Sequence, residues 1–454
     1  MYTVIMKIVA SLLAMILTVV NVPVDIPGFS DSKESTTTIQ YLNDEKGSMD
    51  AVITVKTTTD GDYKLYWADE DNNMLTFTLG DREIPFSEFA VVTTYCGAGS
   101  VDLQDYTAIP DGAENILVTL DDEILEIIEI PEEKIADRDD KIYSYGSISD
   151  LHFNRYFTED GSDVAETTFR VALDFFDEAD VSLVAMPGDI AYDGELESFM
   201  SFNAISSQYD FPVYTATGNH DIRKQYKKEN WLAYMNPGAY GETRDENVIV
   251  VADNGMDFVY KEPASGDIFI FLCQTSNNYS IAINSLLQPS QLDWLEAQLN
   301  EYKDETVYVF FHTILGSAQG NLFTSTGNVQ NYAGWSYPLI YTPYANDEAR
   351  LRNILRANDN VTFFNGHSHW AYHMQHMNPD LNISKNGEDG ATYVHVSSVS
   401  CPRTTGDFQI FWTGNDGTMS EGYLIEVYED SMILYGVDFI NGRILAYATY
   451  EKTR

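Results

Sequence analysis

Residues Phe211 to Asp221 have the sequence FPVYTATGNHD, which is typical of a strand that ends in a polar loop. It begins as a strand-like run over residues 211–217 and ends in Gly218-Asn219-His220-Asp221, so an amide, an imidazole and a carboxylate follow one another directly. These polar residues therefore lie on the loop that leaves the end of a strand, which is where ligands bind in an open α/β sheet. The stretch predicts a ligand-binding loop, although Asn and His also occur in ordinary turns.

Four further blocks of metal-ligand residues each follow a β-rich run. They are Asp150-Leu-His152 after 142–149, Gly188-Asp189 after 181–186, His312 after 307–311, and Gly366-His367-Ser-His369 after 361–364. Together with the first stretch, these blocks use five of the eight histidines. Neutral imidazole and carboxylate suit Mn, Fe and Zn. The spacings D-x-H and H-x-H let alternate residues point at one place, as a binuclear metal site requires.

The pattern around these blocks predicts an α/β fold. Strand-like runs alternate with helices near 162–179, 195–208 and 346–357, and a further helix follows Ser290, with Asp293 completing a capping box. The tail predicts antiparallel strands near 392–396, 423–428 and 432–438. We therefore expect two facing β-sheets flanked by helices, an αββα sandwich.

Residues 37–130 contain short β-type runs and none of the ligand blocks, which predicts a small all-β sandwich preceding the α/β part. Asp60-Gly61 predicts a hairpin turn between runs 51–55 and 63–67. The accessory domain either recognises a surface or braces the catalytic domain. Residues 131–141 are dense in charge and are predicted to be a linker, which leaves 142–454 as the catalytic domain.

Length and composition limit the remaining possibilities. A chain of 454 residues favours two domains, and a net charge of -44 argues against binding extended nucleic acid through a basic face. Residues 1–30 are predicted to be a signal peptide or N-terminal anchor, because Lys7 precedes an apolar run shorter than the ~20 residues that cross a bilayer. The three cysteines are predicted to be buried thiols.

In their order along residues 142–440, the five blocks D-x-H, G-D, G-N-H-D, H and G-H-x-H resemble the calcineurin-like metallophosphoesterase superfamily. The resemblance implies two metal ions, Fe, Mn or Zn, bridged by Asp189. It implies that the first ion is held by Asp150, His152 and His369, and the second by Asn219, His312 and His367. A metal-bridging hydroxide would attack phosphorus in line, with His220 as the general acid and Asp221 orienting its ring.

One block departs from this pattern. Gly188-Asp189-Ile-Ala-Tyr192 resembles the G-D-x-x-Y block of purple acid phosphatases, where the tyrosine binds ferric iron. His152 would need the same coordination position, so Tyr192 is either a ligand or a packing residue. Arg155 either contacts a phosphate or forms a surface salt bridge.

The sequence thus predicts a secreted or membrane-anchored phosphoesterase that acts on small phosphorylated substrates. A phosphodiesterase or nucleotidase with the same site is the alternative, and the aromatic loop 315–344 would select between them. A further hypothesis is an inactive surface-binding protein, associated with cells through its N-terminal segment or β-sandwich. The complete set of ligand residues argues against inactivity.

Overall fold

The computed structural model describes residues 34–103, 106–138, 140–240, 244–275, 287–313, 345–376, 382–385, 390–404 and 418–454. The predicted signal peptide and the aromatic loop 315–344 lie outside the described residues.

The first part of the described chain is all-β. Its strands are β1 (Ser35–Tyr41), β2 (Ala51–Thr57), β3 (Asp62–Ala68), β4 (Thr76–Leu79), β5 (Arg82–Pro85), β6 (Ala90–Thr93), β7 (Ala98–Asp102), β8 (Asn115–Leu120) and β9 (Glu123–Glu129). They form a sheet β1-β2-β7, a sheet β6-β3-β8-β9 and a β4-β5 pair. Alternate residues of β2 are buried, as expected for a strand with one face on a core.

The predicted hairpin at Asp60-Gly61 is wrong. Strand β2 pairs with β1 and β7, whereas β3 pairs with β6 and β8, so the turn connects two sheets. The Asp60 carboxylate accepts hydrogen bonds of 2.8 Å from the backbone N–H groups of Cys96 and Gly97. The turn is therefore anchored to the β6–β7 connection, a contact that the local sequence does not reveal.

The second part of the chain alternates strands and helices. Its strands are β10 (Tyr143–Ser147), β11 (Leu183–Met186), β12 (Val213–Thr215), β13 (Val248–Val251), β14 (Phe258–Lys261), β15 (Ile268–Phe271), β16 (Val307–Phe310), β17 (Val361–Asn365), β18 (Ile383–Lys385), β19 (Thr392–His395), β20 (Glu421–Val427), β21 (Ser431–Asp438) and β22 (Arg443–Thr453). Its helices are α1 (Val164–Glu178), α2 (Leu196–Ser206), α3 (Lys228–Tyr234), α4 (Pro237–Tyr240), α5 (Pro289–Glu301) and α6 (Ala345–Arg356). Short 3₁₀ turns cover Glu132–Lys134 and Tyr372–His376.

Two mixed sheets pack face to face. One has the order β12-β11-β10-β20-β21-β22 and the other the order β13-β14-β15-β16-β17-β19-β18. Aromatic side chains fill the space between them: the Tyr145 ring lies 5.1 Å from that of Phe269, and Phe310 stacks on Phe364 at 4.8 Å. These rings contribute large apolar areas to the core between the sheets.

Helices cover the outer faces, which completes the predicted αββα sandwich. Helix α1 begins at an N-cap, Asp163, whose side chain accepts a hydrogen bond from the backbone of Ala165. On the other sheet, Leu292, Leu295 and Leu299 of α5 are buried, as their spacing predicts. Parallel strands covered on both faces need apolar residues at every position, and all residues of β11 and β16 are buried.

The predicted cap of α5 is wrong by two residues. The helix begins at Pro289, and the N-cap is Gln288, whose backbone N–H donates a 2.9 Å hydrogen bond to the Gln291 side chain. Asp293 instead pairs with Arg350 on α6. Proline at the first helical position explains the earlier start, because its missing N–H needs no partner there.

The all-β region packs directly on β21 and β22. The backbone N–H of Ser87 donates to the carbonyl of Ile444 at 2.8 Å, and that of Ala108 donates to Thr449 at 3.0 Å. The Phe77 ring lies 4.9 Å from the Tyr435 ring. Both parts of the chain thus share one hydrophobic core.

The segment predicted as a linker, 131–141, lies against this shared surface. Lys134 is buried, and the Arg138 side chain pairs with Glu451 of β22. The boundary between two domains at this segment stays a prediction. Among the described residues, none of the helices has the length and apolarity that a membrane crossing requires.

Candidate metal centre

The ligand blocks all follow the carboxyl ends of parallel strands. Asp150 and His152 follow β10, Asp189 follows β11, Asn219 and His220 follow β12, His312 follows β16, and His367 and His369 follow β17. Strands from both sheets therefore deliver side chains to one end of the sandwich. This is the position at which open α/β sheets bind ligands.

One cluster consists of Asp150, His152 and His369. The Nε2 atoms of the two histidines are 2.9 Å apart, and Asp150 Oδ1 lies 3.1 Å from His369 Nε2 and 3.6 Å from His152 Nε2. The other carboxylate oxygen, Oδ2, accepts hydrogen bonds from Ser149 Oγ and the His367 backbone N–H. These two donors fix the carboxylate so that Oδ1 faces the imidazoles.

A second cluster consists of Asp189, His312 and His367. His312 Nε2 lies 3.0 Å from Asp189 Oδ2 and 3.1 Å from His367 Nδ1. Asp189 Oδ2 is also 3.6 Å from His152 Nε2 of the first cluster, while its Oδ1 accepts the His220 backbone N–H at 2.7 Å. Asp189 thus lies between the two clusters with one oxygen directed at both.

These residues fit a pair of metal ions. In each cluster, one ligand atom per residue lies within 4.8 Å of the others. Asn219 Oδ1 is buried and has no hydrogen-bond partner within the described parts of the chain. A buried amide oxygen left without a partner costs about 1–3 kcal/mol, which coordination to a cation would offset. The donor set of imidazole, carboxylate and amide oxygen is the one that Mn, Fe and Zn accept.

The backbone at the ligands adopts an uncommon conformation. Five of the predicted ligand residues have positive φ: Asp150 (55°), His152 (53°), Asp189 (59°), His367 (75°) and His369 (63°). Residues other than glycine adopt this left-handed region infrequently. A strained backbone conformation of this kind costs about 1–3 kcal/mol of folding free energy per residue. The conformation recurs at the predicted ligands, where the turn of the backbone directs each side chain inward from the end of a strand.

Two glycines in the blocks are required by close approach. A Cβ on Gly218 would lie 2.1 Å from Asp189 Oδ1, and one on Gly366 would lie 2.1 Å from Ser149 Oγ and 2.5 Å from Asp150 Oδ2. Side chains at these positions would displace the two carboxylates. The glycines of the G-N-H and G-H blocks therefore have a steric cause.

The electrostatics of the cluster favour neutral imidazoles at most positions. Burial lowers the pKa of His152 to about 3, and burial together with His312 lowers that of His367 to about 3. Burial would lower the pKa of His312 too, but Asp189 and Asp150 raise it to about 9. Burial opposes ionisation of Asp150, yet His369 and His312 hold its pKa well below the usual range. Burial opposes ionisation of Asp189 as well, but His312 and His220 lower its pKa. Two ionised carboxylates thus face imidazoles that can coordinate a cation.

The expected contact between Asp221 and the His220 ring is wrong. The Asp221 carboxylate accepts four backbone N–H groups, from Asp189, Ile190, Ala191 and Gly218, at 2.8–3.0 Å. His220 Nδ1 lies 2.8 Å from the carbonyl oxygen of Tyr192. Asp221 therefore holds together the two loops that carry Asp189 and Asn219, and the Tyr192 carbonyl orients the ring.

Tyr192 lies beside the site, and its ring stacks on the His220 ring with centroids 5.3 Å apart. His152 belongs to the first cluster, for which Tyr192 was the alternative ligand. The Arg155 guanidinium lies 4.9 Å from the Tyr192 ring centroid. Within the described residues Arg155 forms no salt bridge, which was one of its two predicted roles.

Sequence reasoning missed two residues at the site. His395 is fully buried, and its Nε2 lies 2.8 Å from Oγ of Ser368, the residue between the two histidines of G-H-x-H. It ends strand β19 beside β17, and its place at the end of an apolar run is a signal that the sequence already contains. Arg223 Nη1 lies 2.6 Å from His220 Nδ1, and no local motif marks it.

Facing sheets with two ligand clusters joined by one carboxylate define a class of protein, the metal-dependent phosphoesterases of the αββα type. The model of the calcineurin-like phosphoesterase family matches residues 145–371, half of the chain. The chain belongs to this family and is a metal-dependent phosphoric ester hydrolase with a dimetal centre.

Solved structures similar to this chain include phosphatases. A dimetal phosphatase from Danio rerio is 15% identical, with a TM-score of 0.48, and the match covers 68% of this chain and 99% of that one. Purple acid phosphatase PPD1 from yellow lupin (Lupinus luteus) seeds is 13% identical, with a TM-score of 0.38, and the match covers 93% of this chain and 74% of that one. A comparison with curated protein sequences gives no match.

Proposed function

We propose that this protein is a secreted phosphoesterase that hydrolyses small phosphate esters at a binuclear metal site. The observation that carries the proposal is the position of Asp189, whose Oδ2 faces His312 at 3.0 Å and His152 at 3.6 Å. A carboxylate directed at both clusters suits a bridging ligand, because shared negative charge offsets the repulsion between two nearby cations.

The proposed ligands are Asp150, His152 and His369 for one ion, Asn219, His312 and His367 for the other, and Asp189 for both. Fe, Mn and Zn all suit these donors. When bound, the ions would neutralise phosphate charge and lower the pKa of a water so that hydroxide exists near neutral pH. The buried carboxylates and imidazoles exclude bulk water and fix where the phosphoryl group binds.

His220 is the proposed general acid. Its ring lies 4.4 Å from the His152 ring, beside the first cluster. Nδ1 lies 2.8 Å from the Tyr192 carbonyl oxygen and 2.6 Å from Arg223 Nη1, so this nitrogen faces the protein, and Nε2 is the proposed proton donor to the leaving group. Burial lowers the pKa of His220, and a bound phosphate ester would favour the imidazolium again by its negative charge.

Hydrolysis of two esters with different leaving groups tests this role. Alkyl phosphates need protonation of the leaving oxygen, whereas 4-nitrophenyl phosphate does not. We expect His220→Ala to lower kcat/KM for the alkyl ester by about 10²–10⁴ and to have a much smaller effect on the nitrophenyl ester. His373→Ala replaces a histidine outside the ligand blocks and serves as the control. Equal losses on both esters would contradict a general-acid role.

The same ligands serve a phosphodiesterase or nucleotidase, so the substrate panel includes diesters and nucleotides beside the monoesters. Turnover of diesters alone would replace the monoesterase proposal. Secretion is supported by Lys7 and the apolar run that follows it, and detection of the protein in the medium of its source cells tests it.

A further inference from the structure

Arg155 lies on the rim of the metal centre, three residues after His152. Backbone hydrogen bonds fasten its loop to the loop of the second block. Phe153 N–H donates to the Ile190 carbonyl at 2.9 Å, and Tyr192 N–H donates to the Phe153 carbonyl at 3.2 Å. Arg155 and Tyr192 are therefore held beside each other by two paired loops.

The guanidinium of Arg155 is placed by two aromatic rings. Its Cζ lies 4.7 Å from the Tyr156 ring centroid and 4.9 Å from that of Tyr192. The Tyr192 ring in turn stacks on His220, with an interplanar angle of 26°. A guanidinium stacked on aromatic rings keeps its in-plane N–H groups available for an acceptor. The Tyr192 ring thus lies between Arg155 and His220, the proposed general acid.

This guanidinium has no carboxylate partner in the described parts of the chain, and its Nη1 is buried without a hydrogen bond there. The chain contains 70 acidic residues against 26 Lys and Arg, and arginines elsewhere, such as Arg82 and Arg170, pair with glutamates. A buried charged donor without an acceptor is costly, so the arrangement favours an anionic ligand at this place.

We propose that Arg155 binds a second phosphate group, carried on the leaving group of the substrate. The inference rests on the proposed function, because His220 as general acid marks the side on which the leaving group lies. The transferred phosphoryl group lies at the ligand clusters, whereas Arg155 contacts the ring next to His220. The preferred substrates are therefore bisphosphates, and a guanidinium fork suits the oxygens of the second phosphate.

A series of alkane-1,n-diol monophosphates and bisphosphates with three to six carbons tests this assignment on the metal-loaded full chain. We expect wild type to favour at least one bisphosphate over its monophosphate by about tenfold or more in kcat/KM, beyond the factor of two for its two equivalent ends. Arg155→Met should remove that preference, and Arg155→Lys should restore part of it. Arg170→Met removes a charge whose ion pair with Glu166 is exposed, and it should keep the wild-type ratio.

Binding provides a second readout that does not need turnover. Calorimetry with alkane bisphosphonates and monophosphonates should show tighter binding of the bisphosphonate to wild type and no such difference in Arg155→Met. A bisphosphate preference that survives in Arg155→Met, or its absence in wild type that hydrolyses monophosphates, would overturn the assignment. If no ester is hydrolysed but bisphosphonates bind through Arg155, the proposed function fails and the subsite stands.

Discussion

Asp221 illustrates how a residue in a catalytic motif can act by positioning the backbone. Its two carboxylate oxygens each accept two backbone N–H groups, and the donors belong to both the Asp189 loop and the Asn219 loop. The side chain is fully buried, so water cannot take the place of the carboxylate as the acceptor for these N–H groups. Asp221 thereby fixes the distance between two proposed metal ligands.

We expect Asp221→Asn to destabilise the protein by about 2 kcal/mol or more, because the amide nitrogen faces backbone donors and leaves them unsatisfied. Metal affinity should fall as well. Thermal unfolding and metal titration of the variant measure both effects. A variant with wild-type stability and metal content but greatly reduced kcat would instead support the original expectation that Asp221 assists His220 in catalysis.

The pKa of His312 gives a pH dependence in the metal-free protein. Asp189 and Asp150 raise it to about 9, above the value of 6.5 for a free histidine. The folded state therefore binds the proton more tightly than the unfolded state. Its stabilisation is fully present below pH 6.5 and is lost as the pH rises through about 9. Since one pKa unit corresponds to about 1.4 kcal/mol, the contribution is about 3 kcal/mol.

Chelator-treated wild type and His312→Asn should therefore differ more in unfolding free energy at pH 6 than at pH 9.5. Metal-loaded wild type should show no such loss, because a coordinated imidazole carries no titrating proton. Denaturant unfolding at the two pH values measures the difference. A gap between the metal-free proteins that does not change with pH would contradict the assigned environment of His312.

At the scale of elements, two ion pairs connect the all-β region and its following segment to the rest of the chain. Arg138 pairs with Glu451 of β22 and with Asp111, and the side chains of Arg138 and Glu451 are 5% and 8% exposed. Arg82 of β5 pairs with Glu178 of α1, with side chains 59% and 44% exposed. Arg138 also donates to the Ile109 carbonyl at 2.9 Å, so the comparison contrasts a buried network of contacts with one exposed pair.

We expect Arg138→Met to cost about 3–5 kcal/mol, because it leaves Glu451 buried without its partner. Arg82→Met should cost less than about 1 kcal/mol, because its pair is solvated. Thermal unfolding of both variants measures the difference. Equal small effects would indicate that the segment 131–141 is a loose connection, as its charged composition suggested.

The predictable elements are those with strong local patterns. The spacing of Leu292, Leu295 and Leu299 predicted the buried face of α5, and the apolar runs predicted β11 and β16. The Asp60-Gly61 turn misled because turn residues specify a bend and do not specify which strands pair afterwards. The role of Asp221 was missed because its partners are backbone groups, which carry no sequence signal.

At the scale of the whole molecule, the αββα sandwich followed from alternating strands and helices together with ligand blocks at strand ends. The packing of Phe77 and Phe86 on Tyr435 did not follow, since contacts between distant segments leave no local periodicity. Ligand convergence was predictable because parallel strands place their carboxyl ends at the same edge. The side-chain positions of His395 and Arg155 required the fold.

We infer that seven side chains from five loops hold two metal ions, with Asp189 serving both. Equilibrium dialysis of chelator-treated protein against Mn²⁺ or Zn²⁺, followed by elemental analysis, tests it most directly, with Asp189→Asn beside wild type and the exposed Asp177→Asn as control. We expect close to two ions per chain in wild type and the control, and a large loss in Asp189→Asn. Wild type that binds no metal, or an Asp189→Asn variant that binds as much as wild type, would contradict the claim.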